Sequence, residues 1–186
     1  VAGEVRAMWI SYLEYGSMLK NKSESTFTAI FRNAMQTCKE MGINTVYIQA
    51  RSYGDAYYPS DLYPWAANAS GTFAKSPGFD PFGIMVREAH AQGMSVHAWI
   101  NPFRGPTDAE MAKMPSSYPM KQWYDDASKK GHYIVKHTDG RWYLNPGVEE
   151  ARQLVLDGAK ELIQKYPLEG LVIDDYFYPT TAASFD

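Results

Sequence analysis

Two adjacent carboxylates, Asp174 and Asp175, follow the apolar run Gly170-Leu171-Val172-Ile173 near the end of this 186-residue chain. The run is short and contains β-branched residues, the pattern of a strand buried on both faces of a parallel sheet. Helices cover the faces of such a sheet, so polar chemistry collects at the carboxyl ends of its strands. Glycoside hydrolysis needs two carboxyl groups about 5 to 10 Å apart, one as acid and the other as nucleophile or base. Side chains alternate along a strand, so only one of Asp174 and Asp175 can point into a shared mouth. A second polar group lies upstream, in the segment HAWINPFR. There His97, Trp99 and Asn101 alternate with Val96, Ala98 and Ile100, which puts three polar-tipped side chains on one face, with Arg104 just beyond.

The elements that would position these groups follow from periodicity. Residues 4–13 read as a first strand, with Glu14 near its carboxyl end. Phe27, Ile30, Phe31, Ala34, Met35, Cys38 and Met41 then recur at three-four spacing, which predicts an amphipathic helix capped by Ser23 or Ser25 and stopped at Gly42. Residues 44–51 form a second strand in which Tyr47, Gln49 and Arg51 alternate as its polar members. A long loop over 52–79 contains GDAYYPSDLYPW; ordered loops of that length are usually functional. Asp80-Pro81 starts a second helix that ends at Gly93, and a third strand covers 94–100.

Residues 105–145 read as an inserted subdomain with short helical patterns and a hairpin, for which Asp139-Gly140 is a two-residue turn signal. Asn145-Pro146 predicts the start of a helix carrying Val148, Ala151, Val155, Ala159 and Leu162, which leads into the fourth strand at 170–173. Strand and helix thus alternate through a single domain over 1–186, which predicts βαβ units and a parallel sheet. No glycine-rich turn follows the first strand, as a doubly wound nucleotide-binding fold would usually show. A (β/α)8 barrel needs roughly 200 to 250 residues or more. Four βα units therefore predict a half barrel of the TIM type.

Composition narrows the partners. A formal net charge of −3 and the lack of any Lys/Arg run argue against nucleic acid, and no stretch is long enough for a membrane span. Cys38 is the only cysteine, so neither an intrachain disulfide nor a cysteine-rich zinc site is expected. Aromatic residues make up 15% of the chain, with 14 Tyr and 5 Trp, a supply suited to stacking on sugar rings as well as to packing.

The motifs GDAYYPSDLYPW, HAWINPFR, YLNPG and IDDYFYP closely resemble, in order, those of the bacterial glycosyl-hydrolase-like ten family, once catalogued as a domain of unknown function. The resemblance covers about residues 5–179. It implies a (β/α)8 barrel related to glycosidases and a cell-envelope protein that cleaves peptidoglycan glycan strands or another polysaccharide. It also implies an extracellular or envelope location with a leader removed, no cofactor and no metal. Family members continue well past a fourth strand, so catalytic groups from later strands would not lie in this chain.

By similarity to barrel glycosidases of the alpha-amylase kind, which place a nucleophilic aspartate at the end of the fourth strand, Asp174 is favoured over Asp175. The acid partner would come from later strands or from Asp55, Asp61 or Glu14, although loop aspartates commonly serve as turn formers. Arg51, Asp55, His97, Asn101 and Arg104 would bind sugar hydroxyls or orient carboxylates. Arg51 beside a carboxylate would also favour its ionised form. Tyr57, Tyr58, Trp65, Trp99 and Tyr176 would offer stacking surfaces.

Two rival readings differ in class. A metal-dependent carbohydrate deacetylase also uses aspartates at a strand end, but His90, His97, His132 and His137 include no pair at helical spacing beside them. A glycan-binding fragment would keep the groove without a complete carboxyl pair. Half a barrel leaves its first and fourth strands as open edges, so pairing with another half barrel or with a second copy is expected.

Overall fold

The computed structural model describes residues 3–174 and residue 180. Its centre is a four-stranded parallel sheet of β1 (Ala7–Ile10), β2 (Thr45–Arg51), β3 (Ser95–Ile100) and β7 (Gly170–Ile173), in that spatial order. Between β3 and β7 the chain builds a second, antiparallel sheet of β4 (Arg104–Thr107), β5 (Ile134–Lys136) and β6 (Arg141–Leu144), in the order β4-β6-β5. Short helices α3 (Ala67–Ser70), α5 (Asp108–Met111) and α6 (Pro119–Asp125) lie in the connecting segments. Among the described residues no helix is long and apolar enough to cross a membrane.

The outer face of the parallel sheet carries Ile10, Val46, Ile48, Ala50, Val96, Ala98 and Ile100, all buried. Helix α2 (Glu24–Glu40) covers this face with Phe27, Phe31, Met35 and Cys38, and α4 (Pro81–Ala91) with Phe82, Met85, Val86 and Ala89. Both helices begin as their sequences predict. The Ser23 side chain accepts from the Thr26 amide, and Asp80 caps Gly83 with Pro81 in the first turn. Gly42 and Gly93, with φ of +80° and +76°, follow their carboxyl ends.

Several local features differ from the sequence expectation. The first strand ends at Ile10 rather than running to residue 13, because Ser11 and Glu14 form a capping box that starts α1 (Tyr12–Met18). Glu14 accepts from the Ser11 amide at 2.7 Å and its hydroxyl at 2.6 Å, so it caps a helix instead of standing at a strand end. The hairpin turn holds three residues, not two: His137 N–H bonds to the Arg141 carbonyl at 3.0 Å, and Gly140 takes φ +83°. That is a type I turn closed by a left-handed residue, which Asp-Gly serves as well as it serves a two-residue turn.

The last helix, α7 (Glu149–Lys165), starts four residues after Asn145. The Asn145 side chain accepts from the Gly147 amide and so caps a turn, leaving Val148 as the helix boundary. Its buried residues are Ala151, Leu154, Gly158 and Leu162, so the stripe is rotated from the one predicted.

Candidate active site

The inner face of the parallel sheet has a different character. Registered neighbours share a face, which places Trp9, Tyr47 and His97 in one row opposite Gly170, and Gln49, Trp99 and Val172 in the next. The Trp9 ring lies 4.5 Å from Tyr47 and 5.0 Å from Trp99, and Tyr47 meets His97 edge-on at 5.2 Å. A Cβ at Gly170 would come within 2.2 Å of His97 Nδ1, so this glycine leaves the space into which the imidazole fits.

At the carboxyl ends a line of hydrogen bonds crosses the whole sheet. Gln49 Oε1 accepts from the Tyr12 amide at 2.8 Å, where α1 leaves β1. Gln49 Nε2 donates to Asn101 Oδ1 at 2.5 Å, and Asn101 Nδ2 donates to the Asp174 carbonyl at 2.7 Å. Gln49 and Asn101 are buried, while Asp174 is exposed at the end of β7.

A turn after β2 extends the polar region. Asp55 is buried, and its Oδ1 accepts from the Ser52 amide and hydroxyl and from the Tyr53 amide. Burial pushes the Asp55 carboxyl above its usual range, against the pull of those donors. Tyr53 donates to the Tyr12 hydroxyl at 2.9 Å, and its own phenol is pushed up to about 12, first by burial and then by that bond. The Arg104 and Arg141 guanidiniums lie over the Tyr53 ring, 4.1 and 3.7 Å from its centroid. Arg104 also donates to the Ser52 carbonyl at 2.9 Å. A cleft of about 160 Å³ opens here, lined by Tyr12, Ser52, Tyr53, Asp55, Glu110 and Arg141 among others.

The structure thus brings Trp99, Asn101 and Asp174 to the carboxyl end of the sheet, with Asp55 in the adjoining turn and Arg104, at the start of β4, bonded to that turn; His97 shares the inner face but lies lower, level with Gly170 at the start of β7. Asp175 and Tyr176 lie outside the described residues. Arg51 goes elsewhere. Strict alternation puts it beside Gln49, but the register shifts between Gln49 and Arg51, which pairs Arg51 with Ile100 and turns it to the helix layer.

In that layer Arg51 is 1% exposed, donates to the Tyr58 hydroxyl at 3.2 Å and lies over the Tyr63 ring at 4.2 Å. Tyr58 is therefore a core residue, packed between Arg51, Phe82 and Tyr166. Tyr57 is buried against Tyr15. Trp65 is half-buried and bridges to Ala56. Asp61 sits on the outer surface, where its amide donates to Glu161 of α7.

With that geometry in place, comparison with known proteins is decisive for the family. The model for glycosyl hydrolase-like 10 matches residues 4–186. The chain belongs to the glycosyl hydrolase-like 10 family. It is 29% identical over 184 residues to the glycosyl hydrolase YngK of Bacillus subtilis (strain 168), covering 95% of this chain and 34% of that protein. It is 31% identical over 147 residues to the glycosyl hydrolase DigH of Escherichia coli (strain K12), covering 78% and 34%. The chain thus spans about a third of the length of these curated relatives.

Among solved structures, the alpha-amylase of Geobacillus thermoleovorans complexed with acarbose superposes with a TM-score of 0.57 at 16% identity, covering 90% of this chain and 39% of that one. The likeness is one of fold: this chain is α/β with a parallel sheet, as in that TIM-barrel glycosidase.

Gln49 and Tyr12 are site residues that candidate selection by residue type misses. Gln49 had a signal in its alternation with Tyr47, and Tyr12 in the Ser11-x-x-Glu14 capping box that turns the chain after β1. Arg141 had none, since it reaches Tyr53 from a hairpin in the insertion.

Proposed function

We propose that the protein is a glycoside hydrolase acting on a polysaccharide of the bacterial cell envelope, such as peptidoglycan glycan strands, outside the cytoplasm. The observation that carries this reading is the line from Tyr12 through Gln49 and Asn101 to Asp174, which gathers a carboxyl-bearing residue and its supports at the carboxyl ends of four parallel strands. That end is where the active sites of barrel enzymes lie. Asp174 acts as the nucleophile or base, with Asp175 beside it.

Asp55 is the best of the three acid candidates within the chain. Glu14 is engaged in its capping box and Asp61 faces the outer surface, whereas Asp55 lines the cleft with its carboxyl pushed up, the condition a general acid needs. The half-barrel reading accompanies this proposal: further strands, or a second half barrel, pair with the edges of β1 and β7 and enclose the half-exposed inner face. His97 and Trp99 then line the enclosed groove and contact the sugar.

The test is release of reducing ends from purified envelope glycan by the longest native polypeptide containing these residues. Asp174→Asn is expected to lower the rate by about 10⁴-fold or more, Asp175→Asn and Asp55→Asn by about 10²- to 10⁴-fold, the range for loss of positioned acid–base groups. Full activity in Asp174→Asn would overturn its assignment. No release by the wild type from any envelope glycan would overturn the hydrolase reading.

A further inference from the structure

We infer that Gln49 is a positioning residue that fixes the backbone carrying Asp174, acting through the Asn101 side chain. Both amides are buried, Gln49 completely and Asn101 to 2% exposure, and a buried amide is tolerated only with its donors and acceptors paired. The direction of the line is set at its two ends. At one end stands the Tyr12 backbone N–H, which can only donate, so Gln49 must present Oε1 to it and Nε2 to Asn101. At the other stands the Asp174 carbonyl, which can only accept, so Asn101 must present Nδ2 to it and Oδ1 to Gln49. Neither amide can flip without setting like against like at an end.

Distances show which contact holds Asp174. Its own ladder bond, from the amide to the Ile100 carbonyl, is 3.4 Å, at the weak limit for N–H···O, whereas Asn101 Nδ2 reaches its carbonyl at 2.7 Å. Asn101 is in turn anchored by Gln49 at 2.5 Å and by its amide on the Arg51 carbonyl at 3.2 Å. The strand end bearing the carboxylate is therefore tied more tightly across the sheet by side chains than along the ladder. Gln49 adds a tie to α1 as well, since its own carbonyl accepts from Tyr15 Oη at 2.9 Å.

The inference rests on Asp174 serving in glycan cleavage, so the experiment carries one arm that needs no activity. In Gln49→Glu the shape is kept, but ionised oxygens accept on both sides. Asn101 then turns to donate to the new carboxylate and aims Oδ1 at the Asp174 carbonyl, which repels it. At low pH the protonated carboxyl donates again and restores the original direction.

In the longest native polypeptide, Gln49→Glu is expected to lower kcat about 10- to 100-fold near pH 8 with KM changed less than about two-fold, and the deficit should shrink as the pH falls. Gln49→Leu, which removes both ends of the tie, should show the same loss of kcat at every pH. In parallel, NMR of the same proteins should show the Asn101 side-chain NH2 and the Asp174 amide shifting in Gln49→Glu and returning at low pH. If the wild type cleaves no glycan, the hydrolase reading fails and the NMR arm alone decides the positioning role. Unmoved Asp174 and Asn101 resonances in Gln49→Glu, or a loss of kcat in Gln49→Glu that is the same at every pH and follows thermal stability, would overturn the inference.

Discussion

The two faces of one four-stranded sheet obey different rules. On the outer face the side chains of β2 and β3, apart from Arg51 at the end of β2, are small or branched aliphatics, all buried under α2 and α4. On the inner face the same strands carry Tyr47, Gln49, His97 and Trp99, and the β1 edge leaves Trp9 47% exposed. The outer face is a finished core whose stability is local. The inner face is finished only at its carboxyl end, where buried amides replace aliphatic packing, and there the order comes from directed hydrogen bonds. A core tolerates change in proportion to volume, whereas a directed line fails when one donor becomes an acceptor.

The largest effects should therefore come from the outer face. Ile48→Ala removes a fully buried side chain and should lower unfolding stability by about 2 to 5 kcal/mol, read by urea denaturation. A loss under about 1 kcal/mol would mean that the helix layer packs more loosely than the contrast between faces requires. Gly158→Ala comes next. A Cβ there would meet Arg51 Nη1 at 2.5 Å and Tyr63 Cε2 at 2.8 Å, so overpacking costs about 1 to 3 kcal/mol, partly offset by the gain in helix propensity. Thermal melts of Gly158→Ala alone and with Arg51→Met should show the second change relieving the first.

Two carboxylates sharpen the contrast through pH. Glu88, buried on α4 in the outer layer, accepts from Arg32 at 2.8 Å and from Arg87, and the Arg32 bond holds its carboxyl below the usual range. A depressed folded value gives stability that is present above the unfolded carboxyl range and lost as the pH falls through the folded one. Glu88→Gln should therefore cost about 1 kcal/mol at pH 7, a modest figure because both arginines are largely exposed, and nothing once Glu88 is protonated.

Asp55 has the opposite sign. Its folded value is raised by burial, so its ionisation takes stability away as the pH rises from the unfolded carboxyl range through the folded value. Asp55→Asn should flatten that part of the stability–pH curve while keeping the turn, because an amide oxygen can accept from Ser52 and Tyr53 as Oδ1 does. A curve with unchanged slope would show that the Asp55 carboxyl is hydrated in the cleft rather than buried.

The same contrast explains what could be read in the sequence. The outer face and its helices follow from period and capping residues: Ser23, Asp80-Pro81, Gly42 and Gly93 mark boundaries that hold to within a residue or two. The common face of His97, Trp99 and Asn101 was equally legible, because alternation survives to the end of β3. Arg51 was misread for the reason that makes β2 unusual. A register shift of one residue sends every later side chain to the other face, and no residue type announces it. Tyr58 follows Arg51 into the core as its hydrogen-bond partner. The turn around Tyr53 was not legible at all, because its two guanidiniums come from residues 104 and 141, on strands of the inserted sheet.

The smallest expected effect bears most directly on what the inner face is for. Trp9 touches Tyr47 and Trp99 but keeps nearly half its surface in solvent, so Trp9→Ala should cost the 186-residue chain no more than about 1 kcal/mol. In a polypeptide long enough to close the sheet into a barrel, the same ring would be enclosed by further strands, and the substitution should cost about 3 to 5 kcal/mol. Urea denaturation of Trp9→Ala in both lengths, with Ile48→Ala as the reference, measures that difference without any substrate. Ile48→Ala should cost the same in each, because the outer core is already complete. If Trp9→Ala stays small in the longer polypeptide while Ile48→Ala stays large, nothing encloses the inner face, and the groove described here is an open surface rather than half of a barrel.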